Sequence, residues 1–274
     1  MSVMKSSLPE FVSRWMTFAA VLSFCLPAFA SEGPTLPDGV AVQVEKGFGA
    51  NAVWIEIGGD LLAVDGGAPE KRSPRYVLST GAPGSGETTA VVLRPAGRGP
   101  VSGDEIHPPV LFDSGFTLSA GGREAVFFDL GRCATAGDAV VWLPKPKVLV
   151  TGRLVSRGRV EATSASDLAA WATALERLQN LEPRIVVPWR GPAGGADILA
   201  DQLERLTGLV AHVEDELLAG RSASEISDGM SASWFIDWRR NEPETAGAAL
   251  EAVIDRVAGL QPPWELMEER GLRE

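Results

Sequence analysis

Residues 130–155, LGRCATAGDAVVWLPKPKVLVTGRLV, decide how the rest of the chain is read. Ala139 to Leu143 is a short apolar run, Pro144 to Pro146 breaks it, and Val148 to Val150 resumes it. Short apolar runs bounded by turn residues suit buried strands, so the stretch reads as strand, polar turn, strand, tight turn, strand. A length of 274 residues with 45% apolar content supplies a sizeable core around it. The formal net charge is −11 and the sequence has no run of Lys or Arg. Neutralising nucleic-acid phosphates needs a basic face, so no nucleic-acid partner is expected.

The first 30 residues read as an address. Lys5 and Arg14 precede an apolar run from Trp15 to Leu26, Pro27 breaks it, and Ala28-Phe29-Ala30 has the small-x-small form of a cleavage site before Ser31. The run is too short to cross a bilayer. The expectation is export, with residues 1–30 removed, a periplasmic or secreted product and no membrane attachment. Cys25 suggests a lipoprotein cysteine, but bulky Phe24 before it fits that poorly. After cleavage only Cys133 remains, and one cysteine makes neither an internal disulfide nor a cysteine zinc site. It is expected as a small buried apolar residue. Residues 31–39, rich in Pro and Gly, read as a flexible lead-in, and residues 40–274 as one domain.

Within that domain Val40 to Val44 and Ala52 to Ile57 alternate as half-buried strands do, and Gly58-Gly59-Asp60 turns the chain into Leu61 to Val64. Tyr76 to Ser79 and Val91 to Leu93 continue the strand pattern, and the alternation of Val126, Phe128 and Leu130 fits one buried face. Ser164 to Leu181 reads as a helix. Ser164 and Asp167 have capping-box spacing, Leu168, Trp171, Leu175 and Leu178 share a side, and Pro183 stops it. Arg184 to Val187 is a further strand. Two more amphipathic helices carry Leu203, Leu206, Val210, Val213 and Leu217, with Gly220 as the stop, and Leu250, Val253, Ile254 and Val257. The aromatic segment SWFIDWRRN, Ser233 to Asn241, lies between them.

The wording of these segments resembles the metallo-β-lactamase superfamily. Leu130-Gly131 and Thr135, Gly137 and Asp138 are similar to its strand-ending "LG" and its "TPGD"; residues 140–153 resemble "VVYLP" and "KVLFAGD"; Asp65-Gly66-Gly67 resembles its "VIDTG" turn; Val186 to Pro192 resembles "VVPGHGP". The aromatic segment and the helix end before it resemble the exported zinc hydrolases of quinoprotein relay systems. The resemblance covers roughly residues 40–220 and continues more weakly to the end. It implies an α/β fold, an αββα sandwich of two mixed β-sheets packed face to face with helices outside.

The same comparison changes the expected chemistry. The superfamily's "T-H-x-H-G-D-H" aligns with Thr80 to Gly86, where Gly81, Pro83, Ser85 and Gly86 replace the ligands. Ala134 stands at a histidine position, Arg153 at the metal-bridging aspartate and Arg190, after Trp189, at the last histidine. None of these replacements suits a tetrahedral zinc site, and without zinc there is no activated water. No cofactor is therefore expected. GAPGSGETT also comes within one residue of a P-loop, but Glu87 sits where its lysine belongs, so a phosphate would be repelled. Only two histidines occur, His107 in a loop and His212 on a helix near its apolar face, where packing is the ordinary role. Asp65 is expected to bond its own turn.

Arg153 and Arg190 are expected to converge where the metals sit in the superfamily. They either pair with local acids (Asp138, Asp65 and Glu87) or, with Ser85 and Trp189 at the edge, hold an anion, since guanidinium forks match carboxylate and phosphate. Three functions follow: an exported, zinc-free protein binding a small anion or a protein partner; a hydrolase working by an altered or metal-independent route; or an inactive subunit beside an active paralogue, with Trp234, Phe235 and Trp238 as contact surface.

Overall fold

Strand formation follows the apolar alternation described above. The structure, a computed structural model, describes residues 34–43, 50–65, 72–78, 80, 90–95 and 110–260. The segment read as an export signal, and positions 81–89 and 96–109, lie outside them. A six-stranded mixed sheet runs in the order β1 (Val40–Gln43), β2 (Ala52–Ile57), β3 (Asp60–Val64), β4 (Tyr76–Leu78), β5 (Val91–Pro95) and β6 (Val110–Phe112). The first three strands are antiparallel neighbours and the last four are parallel neighbours. Gly58 and Gly59, at φ 61° and 91°, supply the two left-handed residues of the β2–β3 hairpin.

The second sheet has five strands in the order β11 (Ile185–Val187), β10 (Val148–Val150), β9 (Asp138–Leu143), β8 (Arg123–Gly131) and β7 (Gly115–Ala120). Only β10 and β11 are parallel. The face of each sheet turned toward the other forms one apolar layer, including Val53, Ile55, Leu62, Phe127, Val141 and Val150. The far face of the second sheet, with Val140, Trp142 and Leu149, packs under helices α1 (Leu168–Gln179), α2 (Asp197–Leu218), α3 (Ala223–Gly229), α4 (Ser233–Asn241) and α5 (Pro243–Leu260). Among the described residues every α-helix belongs to the second half of the chain.

Several expectations are corrected in detail. In β8 the fully buried residues are Ala125 and Phe127, facing the other sheet, whereas Val126, Phe128 and Leu130 are partly buried under the helices. Both faces of this central strand are packed, so no single alternating set marks its buried side. Helix α1 starts at Leu168, capped by Asp167, whose carboxylate accepts from Ala170 N–H. The expected cap, Ser164, is exposed, because Ser166 and Thr163 form their own hydroxyl turn beneath it, with Thr163 N–H donating to Ser166 Oγ at 2.8 Å. The region after Gly220 contains α3, closed by a capping box between Ser222 and Glu225, and the aromatic segment is itself helix α4. The described part of the lead-in, residues 34–39, is held in place: Gly39 C=O accepts from Glu56 N–H and Leu36 packs on the inter-sheet core. No described helix is long and apolar enough to cross a membrane.

The two sheets meet closely at the end of β4. Thr80 is fully buried, and a Cβ added to Gly152, which has φ +51°, would collide with the Thr80 side chain. Gly152→Ala combines left-handed strain with overpacking, and urea unfolding is expected to show a loss of about 2–4 kcal/mol.

Candidate functional site

The parallel pair β10 and β11 ends on one side of the second sheet, and the residues after both strands are tied together. Thr151 N–H donates to Val187 C=O at 3.0 Å, Trp189 N–H to Val155 C=O at 2.7 Å and Arg157 N–H to Arg190 C=O at 3.1 Å. Asn51, just before β2 and buried, fastens the same turn: its Nδ2 donates to Pro188 C=O at 2.9 Å and Gly191 C=O at 2.7 Å, and its backbone N–H donates to Trp189 C=O at 2.7 Å. A 3-10 turn, Gly152–Leu154, follows β10 and carries Arg153. These bonds bring the segments carrying Arg153, Trp189 and Arg190 to one end of the sheet.

The acid that receives Arg190 is Glu161. Arg190 Nε lies 2.9 Å from Glu161 Oε1, and Arg159 Nη1 lies 3.8 Å from the same oxygen and 2.6 Å from Glu242 Oε1. The Arg190 contact has ion-pair distance but not hydrogen-bond alignment. Glu161 is buried, and burial raises its pKa above the ordinary glutamate value; Arg190, Arg153 and Arg159 pull it back, and Glu242 pushes it up. Desolvation thus outweighs three neighbouring cations.

Arg153 differs from the other two. No carboxylate among the described residues lies within ion-pair distance of it; its guanidinium carbon instead sits 5.7 Å from the centre of the Trp189 ring. Arg153 Nε and Trp189 Nε1 are both buried N–H donors without an acceptor. Two orphan donors in one stacked pair constitute an unmet demand for acceptor oxygen.

The other expected residues have different work. Asp138 is fully buried, and its carboxylate accepts from Cys133 N–H at 3.2 Å, Thr135 N–H at 2.7 Å and Thr135 Oγ1 at 2.9 Å, so it holds the turn that opens β9. Asp65, at φ 52°, accepts from Thr80 N–H at 2.6 Å and from the Thr80 hydroxyl, bonds that reach across to the end of β4. Ala134 is 1% exposed and packs in the helix-side core, and its carbonyl accepts from Ser166 Oγ. Cys133 is buried as expected; burial, then the charges of Asp138, Asp167 and Asp129, push its thiol up to about 12, so it stays protonated. Gly81, Pro83, Ser85, Gly86, Glu87 and His107 lie outside the described residues. Glu161, Arg159 and Asn51 were missed in the sequence. The available signal was the charged pair Arg159 and Glu161 enclosing Val160 beside an apolar stretch, a pattern that needs buried partners.

No protein-family model matches the sequence, and no curated protein matches it. Solved structures match its fold. A metallo-β-lactamase from Pontibacter korlensis is 20% identical with a TM-score of 0.50, the match covering 64% of this chain and 98% of that one. The stereoselective inverting sec-alkylsulfatase from a Pseudomonas species is 15% identical with a TM-score of 0.58, covering 83% of this chain and 51% of that one. The chain has the metallo-β-lactamase fold. It spans about half the length of the alkylsulfatase.

Among the described residues, those at the positions the resemblance gives to metal ligands do not fit a zinc pair. At the positions where the resemblance places metal ligands, Ala134 offers a buried methyl, and Arg153 and Arg190 offer cations that would repel the ion. Among the described residues no group of three or more His, Cys, Asp or Glu is placed to hold a metal.

Breaking this cluster has a definite cost. Arg159→Ala leaves buried Glu161 and half-buried Glu242 with less compensation, and denaturation is expected to show a loss of about 3 kcal/mol. The raised Glu161 pKa also fixes a pH trend. The folded state binds this proton more tightly than the unfolded chain, so its contribution is complete below the ordinary glutamate range and declines as pH rises through the folded-state pKa. Stability of the unaltered protein relative to Glu161→Gln is therefore expected to fall as pH rises across that interval, as read from paired urea titrations.

Proposed function

We propose that this is an exported, non-catalytic metallo-β-lactamase-fold protein that binds a small anion at an arginine centre standing where the superfamily places its metals. The observation that carries the reading is Arg153, a cation without a carboxylate partner among the described residues, stacked on Trp189, with both N–H groups unpaired. Arg190 is held beside it by Glu161 and adds positive potential. An incoming carboxylate would take the Arg153 fork and the Trp189 N–H as its donors, and the low-dielectric surroundings strengthen each bond. Glu161 couples the site to protons: an anion beside it favours its protonated form, and protonation frees Arg190 from its counter-charge.

Titration calorimetry with citrate tests this. Citrate is expected to bind the unaltered protein, more tightly as pH falls, and Arg153→Ala is expected to weaken it by about tenfold or more. Equal binding by the two proteins, or a stoichiometric zinc ion that stabilises the fold and is removed by chelator, would overturn the reading.

A further inference from the structure

A cavity of about 380 Å³ lies between α2 and the α3–α4 junction, and Arg153, Trp189 and Arg190 take no part in it. Its walls include Glu204, Gly208, Leu209 and His212 from α2 and Met230 and Trp234 from the junction. The volume falls in the range of small-molecule sites, about 300–1,000 Å³. Three features of the chain point to an occupant here.

The first is Gly208. It sits in the middle of the 22-residue helix α2, where glycine is a poor choice, and a Cβ added to it would meet nothing within 4 Å. No close approach inside the protein requires it. The missing side chain keeps the cavity open. The second is His212. Its Nε2 is buried without a hydrogen-bond partner, although the sequence suggested simple packing. The third is Trp234. Its neighbours on α4, Phe235 and Trp238, are 0% and 3% exposed and belong to the core, whereas Trp234 is only partly buried and lines the cavity, held edge-on to Phe235.

Charge selects the ligand. Asp201 and Arg205, also in the wall, pair with each other at 3.7 Å. Glu204, exposed at the cavity mouth, has no ion pair among the described residues, so the mouth keeps one net negative charge, within a chain of net charge −11. A carboxylate, an indole and an unpartnered ring nitrogen, set among Leu209 and Met230, match an ammonium group attached to an apolar body. We infer that this cavity binds a small organic cation. The ammonium group faces Glu204 and Trp234, donates an N–H to His212 Nε2, and its apolar body lies against Leu209 and Met230.

Calorimetry with three probes of one shape, phenethylamine, 2-phenylethanol and phenylacetate, tests this on the intact protein. Phenethylamine is expected to bind one per chain, the neutral alcohol more weakly, and phenylacetate not at all. Glu204→Gln is expected to reduce the preference for the amine over the alcohol by about two- to five-fold. Gly208→Leu fills the cavity while improving helix propensity, so it is expected to abolish binding with an unchanged or higher Tm. Absence of amine binding to the unaltered protein, undiminished binding to folded Gly208→Leu, or phenylacetate binding as tightly as the amine would each overturn the inference.

Discussion

The arrangement depends on one buried carboxylate. Glu161 is 7% exposed, and a charge that far from water is tolerable only beside opposite charge. Arg190 and Arg159 meet it, from the end of β11 and from the loop after the 3-10 turn. Arg159 then reaches Glu242 at 2.6 Å, which fastens the α4–α5 junction to the sheet end. The same local neutrality that orders the helical tail therefore also positions Arg190 beside Arg153. The three guanidinium groups exceed the two carboxylates by one positive charge, and Arg153 is the cation left over.

What brings the strand ends that carry these side chains together is largely backbone architecture, and that architecture does not depend on what the side chains bind. The parallel ends of β10 and β11, the Asn51 clasp and the contact of Thr80 with Gly152 would converge on this point with any ligand set. Fold and site chemistry are separable for this reason. Here a fold shared with a solved metallo-β-lactamase carries two guanidinium groups beyond the ends of its parallel strand pair, and no cluster of metal-ligating side chains among the described residues.

Much of the fold was legible because strands and turns are local. The alternation in Ala52–Ile57 and the run Val148–Val150 coincide with β2 and β10, and Gly220, at φ 76°, ends α2 as its sequence position suggested. Local competition was harder to see. Ser164 had the right spacing for a cap, but Ser166 and Thr163 captured the backbone first. The site was half legible. Arg153 and Arg190 could be placed through the flanking strand and turn motifs, yet their acid could not, since Glu161 lies between strands with no motif of its own. Its second tether, Arg159 to Glu242, joins residues 83 apart, a distance no sequence pattern reports. Asp138 looked like a partner and instead holds its own turn.

The central claim is that a fixed cation occupies the position of a metal. Anomalous diffraction from crystals grown with zinc and then soaked in selenate, recorded at both absorption edges, tests it directly. The account requires a selenium peak within salt-bridge distance of the Arg153 guanidinium and no zinc peak near Ala134, Arg153 or Arg190. A zinc peak among those three residues, with no selenium beside Arg153, would contradict it.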